Sequence, residues 1–149
     1  MRYHDYGMRL VLDTDVMVAA LRSDSGASRQ LLVAALERRF TLLVSVPLMF
    51  EYEAVLMRAE HLAASGLSDR EMNAVLDAVA AVAEPVHLSF LWRPTLLDPD
   101  DDMVLETAAN GAADWIVTFN KRDFSGAAAK FGCGVALPGE VLHEFRRMR

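Results

Sequence analysis

Short apolar runs rich in β-branched residues alternate along this chain with segments whose apolar residues recur at helical spacing. The runs are Arg9–Asp13, Phe40–Val46, Val86–Leu91 and Trp115–Phe119. Runs of this kind are typical of buried strands, and 3.6-residue periodicity is typical of amphipathic helices. Strands that alternate with helices form parallel sheets, because right-handed crossovers place the helices on both faces. The sequence therefore predicts a doubly wound α/β fold.

The clearest helix starts at a capping box. Ser68 and Glu71 have the S-x-x-E spacing in which each side chain caps the backbone of the other, and an apolar stripe follows before Pro85. Ser45 and Pro47 supply helix-start chemistry after the second run. The other predicted helices span Ala27–Arg39, Leu48–Glu60 and Asp102–Ala112, and a last one is introduced by Pro138 and Gly139.

Length and composition limit the class of protein. The 149 residues fit one domain, and the apolar runs are far shorter than the roughly 18 residues that span a bilayer. The N-terminus has no apolar signal-peptide core, and the single cysteine, Cys133, allows neither an internal disulfide nor a thiolate zinc cage, so we expect a cytoplasmic protein. A net charge of −6 argues against coating nucleic acid by bulk charge but does not exclude an enzyme that acts on it.

Acidic and amide side chains follow several of the predicted strands. In chain order they are Asp13 and Asp15, Glu51, Asp102, and then Asn120 with Asp123. The carboxyl ends of parallel strands share one edge of the sheet, where ligands bind in such folds. We therefore expect these side chains to meet in one cleft, and Mg²⁺ is their natural partner because it prefers oxygen ligands.

Each acidic motif alone also has an ordinary structural interpretation. Acids at a helix start cap free N–H groups and interact favourably with the helix dipole, which suits Asp98, Asp100 and Asp101. Asp102 is the functional candidate of this run because it begins the D-x-x-L-x-x-x-A helix face. The spacing does not separate Glu51 from Glu53.

Three segments together resemble a known family. MRLVLDTDVMVAAL, PLMFEYEAVLMR and LDPDDDMVLETAANGAADWIVTFNKRDF are similar to PIN-domain ribonucleases, in particular the toxin components of bacterial type II toxin-antitoxin modules. The resemblance runs from about Met8 to the C-terminus. It implies a single PIN-like domain over residues 1–149, with a three-layer α/β/α fold around a parallel sheet of four to five strands. Residues 1–7 would be a short disordered or peripheral extension.

The resemblance also implies site residues. Asp13 would be the first acid, Glu51 in E-x-x-x-V-L the second and Asp102 the third. A further aspartate is usual after the fourth strand, but this chain has Asn120, whose amide lacks the charge that helps to hold a second ion. Asp123 is the candidate replacement, and the catalytic set would be Asp13, Glu51, Asp102 and Asp123.

The implied activity is metal-dependent hydrolysis of RNA phosphodiester bonds. Mg²⁺ or Mn²⁺ would be held by Asp13, Asp102, Asp123 and Asn120, and would activate a water molecule. Thr14, Thr118, Lys121 and Arg122 are candidate contacts to the metal ligands or the RNA, with surface solvation as the alternative. The implied partners are the RNA substrate, a protein antitoxin and a second copy of the chain.

Two other functions fit parts of the pattern. LVLDTDV has the D-x-D form found in haloacid-dehalogenase-like phosphatases, with Asp13 as nucleophile and Asp15 as acid. That family needs a lysine before a later acid pair, whereas here the acidic run precedes Lys121. The other alternative is a non-catalytic PIN-like module that binds RNA or protein, in which Asn120 has disabled the site.

Overall fold

Five parallel strands form the centre of the protein in a computed structural model that describes residues 7–89 and 99–147. The spatial order is β3-β2-β1-β4-β5. β1 pairs with β2 through Leu10 and Leu42, and with β4 through Val11 and Ile116. The strands are β1 (Arg9–Leu12), β2 (Thr41–Ser45), β3 (Glu84–Val86), β4 (Trp115–Val117) and β5 (Gly134–Ala136).

Helices flank the sheet on both faces. Leu10, Val11 and Leu12 of the central strand are all fully buried, and successive side chains of a strand point to opposite faces, so both faces must be covered. The helices in the described ranges are α1 (Thr14–Arg22), α2 (Ala27–Leu36), α3 (Val46–Leu56), α4 (Ala59–Ser65), α5 (Asp69–Val82), α6 (Pro99–Gly111), α7 (Lys121–Ala129) and α8 (Pro138–Arg147). The α/β prediction is confirmed. Within the same ranges no helix is both long and apolar enough to cross a bilayer.

The predicted caps are present. The Glu71 N–H donates to Ser68 Oγ at 3.1 Å and the Ser68 N–H donates to Glu71 Oε1 at 2.9 Å, which is the complete capping box at the start of α5. Ser45 caps α3, where Pro47 occupies the first turn. Local sequence chemistry therefore sets both helix starts.

The predicted helix Leu48–Glu60 is wrong at its C-terminal end. α3 stops at Leu56, and Arg58 has the extended dihedrals of an N-cap, so α4 begins as a separate helix. The predicted strand Val86–Leu91 is also misplaced, since β3 covers Glu84–Val86. Its partner strand β2 ends at Ser45, which pairs with Val86, and α3 begins at the next residue. Residues after Val86 therefore have no β2 residue to pair with.

The helix predicted from Asp102 starts earlier. α6 begins at Pro99, a position that proline tolerates because the first-turn N–H groups have no helical partner, and Asp102 therefore lies in its first turn. Asp98, most of the predicted N-terminal extension, and Phe90 and Leu91 of the predicted third strand lie outside the described residues. α1, α7 and β5 were not predicted from the sequence.

An aspartate pair at the carboxyl edge of the sheet

Asp13 directly follows the central strand, and hydrogen bonds hold both its backbone and its carboxylate. Its N–H donates to the Val117 carbonyl at 2.9 Å, which continues the pairing of β1 with β4. Its side chain is 7% exposed and caps α1, with Oδ1 accepting from the Thr14 N–H at 2.7 Å. Oδ2 accepts from the Thr118 hydroxyl at 2.7 Å. The carboxylate therefore has a fixed position at the carboxyl edge of the sheet.

Thr118 joins two strands to this carboxylate. It follows β4, its N–H donates to the Ala136 carbonyl at 2.9 Å, and its hydroxyl also accepts from the Asn120 N–H at 2.9 Å. Its side chain is fully buried, and its hydroxyl bonds Asp13, a candidate metal ligand. Thr118 therefore positions Asp13.

Asp15 lies in the first turn of α1, beside the loop after β4. Its Oδ2 accepts from the Phe119 N–H and from the Asn120 side-chain amide, each at 3.3 Å. Its Oδ1 is buried and has no hydrogen-bond partner among the residues that the structure describes. A buried carboxylate oxygen without a donor is costly, so this atom is a candidate ligand for a cation.

Asp15 disfavours the charge of Asp13, whereas a hydrogen bond with Asp13 favours the charge of Asp15. Burial, and then repulsion by Asp15, raise the pKa of Asp13 to about 6, although the hydrogen bonds from Thr118 and Thr14 oppose the shift. Burial also raises the pKa of Asp15, with a smaller contribution from repulsion by Asp101. A divalent cation would reverse this balance, because it favours the ionised form of every carboxylate around it. Hard oxygen donors, one of them unpartnered, fit Mg²⁺ or Mn²⁺.

Tyr52 supports the end of β1 from α3 and was not singled out from the sequence. Its hydroxyl donates to the Leu12 carbonyl, and its ring is fully buried. Burial, followed by the nearby charge of Asp13, raises the pKa of Tyr52 well above its ordinary value. The helical spacing of Leu48, Tyr52 and Val55 was the available signal that this tyrosine faces the core.

The first turns of α6 carry further acids. Asp102 is 4% exposed, and Glu106, one turn later on the same helix face, is fully buried. Glu106 was missed, although its spacing of four residues from Asp102 could have indicated it. Next to it, the Thr107 hydroxyl bonds the Ser45 hydroxyl at 2.6 Å and so joins α6 to the end of β2. α6 therefore carries two buried carboxyl groups, and its Asp101 raises the pKa of Asp15 by charge repulsion.

The remaining predicted residues are not gathered into one cluster. Glu51 is partly buried on α3, Glu53 is exposed, and Asp123 is exposed in the first turn of α7. Across residues 7–89 and 99–147, no three His, Cys, Asp or Glu side chains are arranged to hold a metal ion. The expected set of Asp13, Asp102, Asp123 and Asn120 is thus not formed as a group, and Asp13 with Asp15 is the pair that the structure brings together.

The predicted substrate contacts differ in their exposure and in whether their charge is already paired. Lys121 Nζ lies 3.0 Å from Glu140 Oε1, so its charge is already paired at the surface. Hydrogen bonds from the Leu137 N–H and Lys121, in that order, lower the pKa of Glu140. Arg122 is exposed beside them, and Thr14 is partly buried at the start of α1. Arg122 is therefore the cation of this loop with the greater freedom to bind a phosphate.

Comparison with known proteins adds the family. Residues 9–122 match the PIN domain, a span that includes β1 to β4 and the aspartate pair. The chain belongs to the PIN domain family. This membership confirms the resemblance and gives no support to the phosphatase alternative. A comparison with curated protein sequences gave no match.

The solved structures that share the fold of this chain include two with TM-scores above 0.5. One is VapBC2 from Rickettsia felis bound to a DNA fragment from its promoter, with a TM-score of 0.56 and 17% identity over 86% of this chain and 97% of that one. The other is FitAcB from Neisseria gonorrhoeae, with a TM-score of 0.51 and 19% identity over 87% of this chain and 98% of that one. At these identities the likeness establishes the fold.

Proposed function

We propose that this PIN-domain protein is a divalent-metal-dependent endoribonuclease, the toxin of a toxin-antitoxin module. The observation that carries the proposal is the pairing of buried Asp13 with half-buried Asp15, whose buried Oδ1 has no hydrogen-bond partner among the described residues. Burial and the neighbouring Asp15 destabilise the charge of Asp13 unless a cation binds there. Such a site suits a function that requires the cation.

Asp13 and Asp15 would hold Mg²⁺ or Mn²⁺, with Asp102 and Glu51 as candidates to complete the ligand set. When bound, the ion would supply an activated water molecule and neutralise charge on the phosphate. Thr118 keeps Asp13 oriented through its 2.7 Å hydrogen bond, and Asn120 keeps Asp15 in place through its side-chain amide. Asn120 therefore acts as a positioning residue here, and Asp123 stays a candidate for the acid that the family usually has after β4.

Cleavage of a mixed RNA pool by the purified protein tests this proposal. We expect cutting with Mg²⁺ or Mn²⁺, none with a chelator, and loss of cutting in Asp13→Asn and Asp102→Asn. Asp24→Asn is a matched control, because Asp24 is a fully exposed loop acid. Metal-independent cutting, or full activity in Asp13→Asn, would contradict the assignment.

A non-catalytic binding module is the second candidate function. It is favoured by Asn120 in place of an acid and by the lack, among the described residues, of a three-member metal cluster. This candidate predicts no cutting with any divalent ion while RNA or a partner protein still binds. The Asn120→Asp variant would then gain cleavage if the missing charge is the cause.

The toxin role adds partners to the proposal. The three motif segments resemble toxin components, and the resemblance implies a protein antitoxin, a homodimer and action in the cytoplasm. Co-expression with the neighbouring genes of its operon, followed by purification, should yield a complex whose second protein suppresses cleavage. Light scattering that finds a monomer at micromolar concentration would count against the dimer.

A further inference from the structure

Phe119 is an exposed aromatic side chain fixed directly beside the aspartate pair. It is 49% exposed and stands between Thr118, which holds Asp13, and Asn120, which holds Asp15. Its own N–H donates to Asp15 Oδ2 at 3.3 Å. The position of the ring is therefore coupled to the proposed metal site through one backbone unit. A single exposed apolar side chain would by itself need no explanation, and this coupling is what distinguishes Phe119.

A cavity of about 530 Å³ lies on one side of this ring. Besides Phe119, its apolar lining consists mostly of small residues, namely Ala19, Gly26, Ala27, Leu137, Pro138 and Gly139. Ser23, Ser28 and Glu140 supply the polar edge of the cavity, and Glu140 is already paired with Lys121. The surface next to the acids therefore offers an aromatic ring and apolar walls.

A second cavity, of about 420 Å³, shares Phe119 and Leu137 as a wall but is otherwise polar. It contains Asn120, Lys121, Arg122 and Asp123. Arg122 is exposed there, and none of the ion pairs between described residues involves it. Phe119 and Arg122 thus line neighbouring cavities that share a wall. They match the two parts of a nucleotide, since a base stacks on an aromatic ring and a phosphate pairs with arginine.

We propose that Phe119 is the stacking platform for a nucleobase of single-stranded RNA next to the bond that is cut, with Arg122 as the contact to a neighbouring phosphate. This inference rests on the proposed function, because it names how the same site would hold its substrate. Stacking on a single ring accepts every base, so Phe119 gives preference for unpaired RNA rather than for one sequence. A duplex keeps its bases stacked on each other and would not use the ring.

Binding of a labelled single-stranded oligoribonucleotide, measured by fluorescence anisotropy in chelator and low salt, tests the platform without requiring cleavage. We expect Phe119→Ala to weaken binding by about 5- to 100-fold, the range for loss of one base-aromatic stack. Phe119→Tyr should keep affinity, whereas Phe119→Leu should not, because leucine retains apolar volume without a π face. The matched control is Phe50→Ala, since Phe50 is 64% exposed on α3 and lines neither cavity.

A ribose-phosphate oligomer without bases provides the second arm. It should bind the wild-type protein and Phe119→Ala equally, because only stacking is lost in the variant. Arg122→Gln should weaken binding of both oligomers and reduce the dependence of affinity on salt.

Several outcomes would overturn the inference. Wild-type affinity in Phe119→Leu would point to an apolar side chain of a protein partner as the occupant of the cavity. Equal affinities of Phe119→Ala and Phe50→Ala, or no binding of single-stranded RNA by the wild-type protein, would also refute it. If the wild-type protein cleaves RNA but Phe119→Ala binds RNA normally, the proposed ribonuclease activity holds and the stacking platform does not. If Phe119→Ala loses binding but the wild-type protein does not cleave RNA, the platform belongs to a non-catalytic binding module.

Discussion

In the metal-free protein, the stability of Asp13→Asn relative to the wild-type protein should be greater at neutral pH than at acid pH. The folded pKa of Asp13 is about 6, against an ordinary value of 3.8. A carboxyl group whose pKa is raised on folding favours the folded state fully below its unfolded pKa, and this stability is lost as pH rises through the folded pKa. The difference corresponds to about 3 kcal/mol of the free energy of unfolding. Asparagine removes this pH dependence.

The two pKa values of Asp13, folded and unfolded, also set the pH interval over which the two proteins should be compared. Between about pH 4.5 and about pH 7.5, the stability of Asp13→Asn relative to the wild-type protein should rise by about 2 kcal/mol. The absolute gain at neutral pH is smaller than the full pKa difference, because the amide replaces one of the two oxygens that accept hydrogen bonds from Thr14 and Thr118. The change with pH is therefore the quantity to measure.

Urea unfolding in the presence of a chelator gives this quantity directly. The wild-type protein, Asp13→Asn and the exposed-acid control Asp24→Asn would each be unfolded at both pH values. We expect the wild-type and Asp24→Asn curves to move together and Asp13→Asn to diverge from them. A stability difference between Asp13→Asn and the wild-type protein that stays constant, or shrinks as pH rises, would refute the argument that burial and Asp15 destabilise the Asp13 charge.

Three further predictions concern the metal and the scaffold. Millimolar Mn²⁺ or Mg²⁺ should raise the melting temperature of the wild-type protein at neutral pH but not that of Asp13→Asn, and an equal shift in both, by differential scanning fluorimetry, would place the ion elsewhere. Ala112 has φ 53°, so Ala112→Gly should stabilise by about 1 kcal/mol in urea unfolding, whereas Ala109→Gly inside α6 should destabilise by about the same amount. Tyr52→Phe should lose about 1 to 2 kcal/mol, because the Leu12 carbonyl loses a buried donor, and an unchanged midpoint would show that water replaces it.

Local sequence signals predicted the elements that local chemistry determines. The capping box at Ser68, the Ser45 cap and the apolar run of β1 are each decided within a few residues. The ends of elements were less predictable. β3 stops at Val86 because β2 has no residue left to pair with it, which is a property of the partner strand rather than of the VHLSFL sequence.

The candidate site shows the same division. Asp13 was predicted as an acid at a strand end, and the PIN family followed from the order of three motifs. The sequence places Asp15 two residues after Asp13, as an additional ligand or a turn residue, but does not indicate what holds its carboxylate. That depends on the β4 loop, whose Phe119 and Asn120 donate to Asp15 from more than a hundred residues away.

The sequence by itself determined the class of fold, because alternating apolar periodicities leave few ways to bury these residues other than a parallel sheet between helices. It also determined which side chains can carry charge at the carboxyl edge of that sheet. Only the tertiary structure decided which of those charges are buried together. Burial and the distance between carboxyl groups shift a pKa, and both arise when β1 and β4 pair and bring Thr118 onto Asp13.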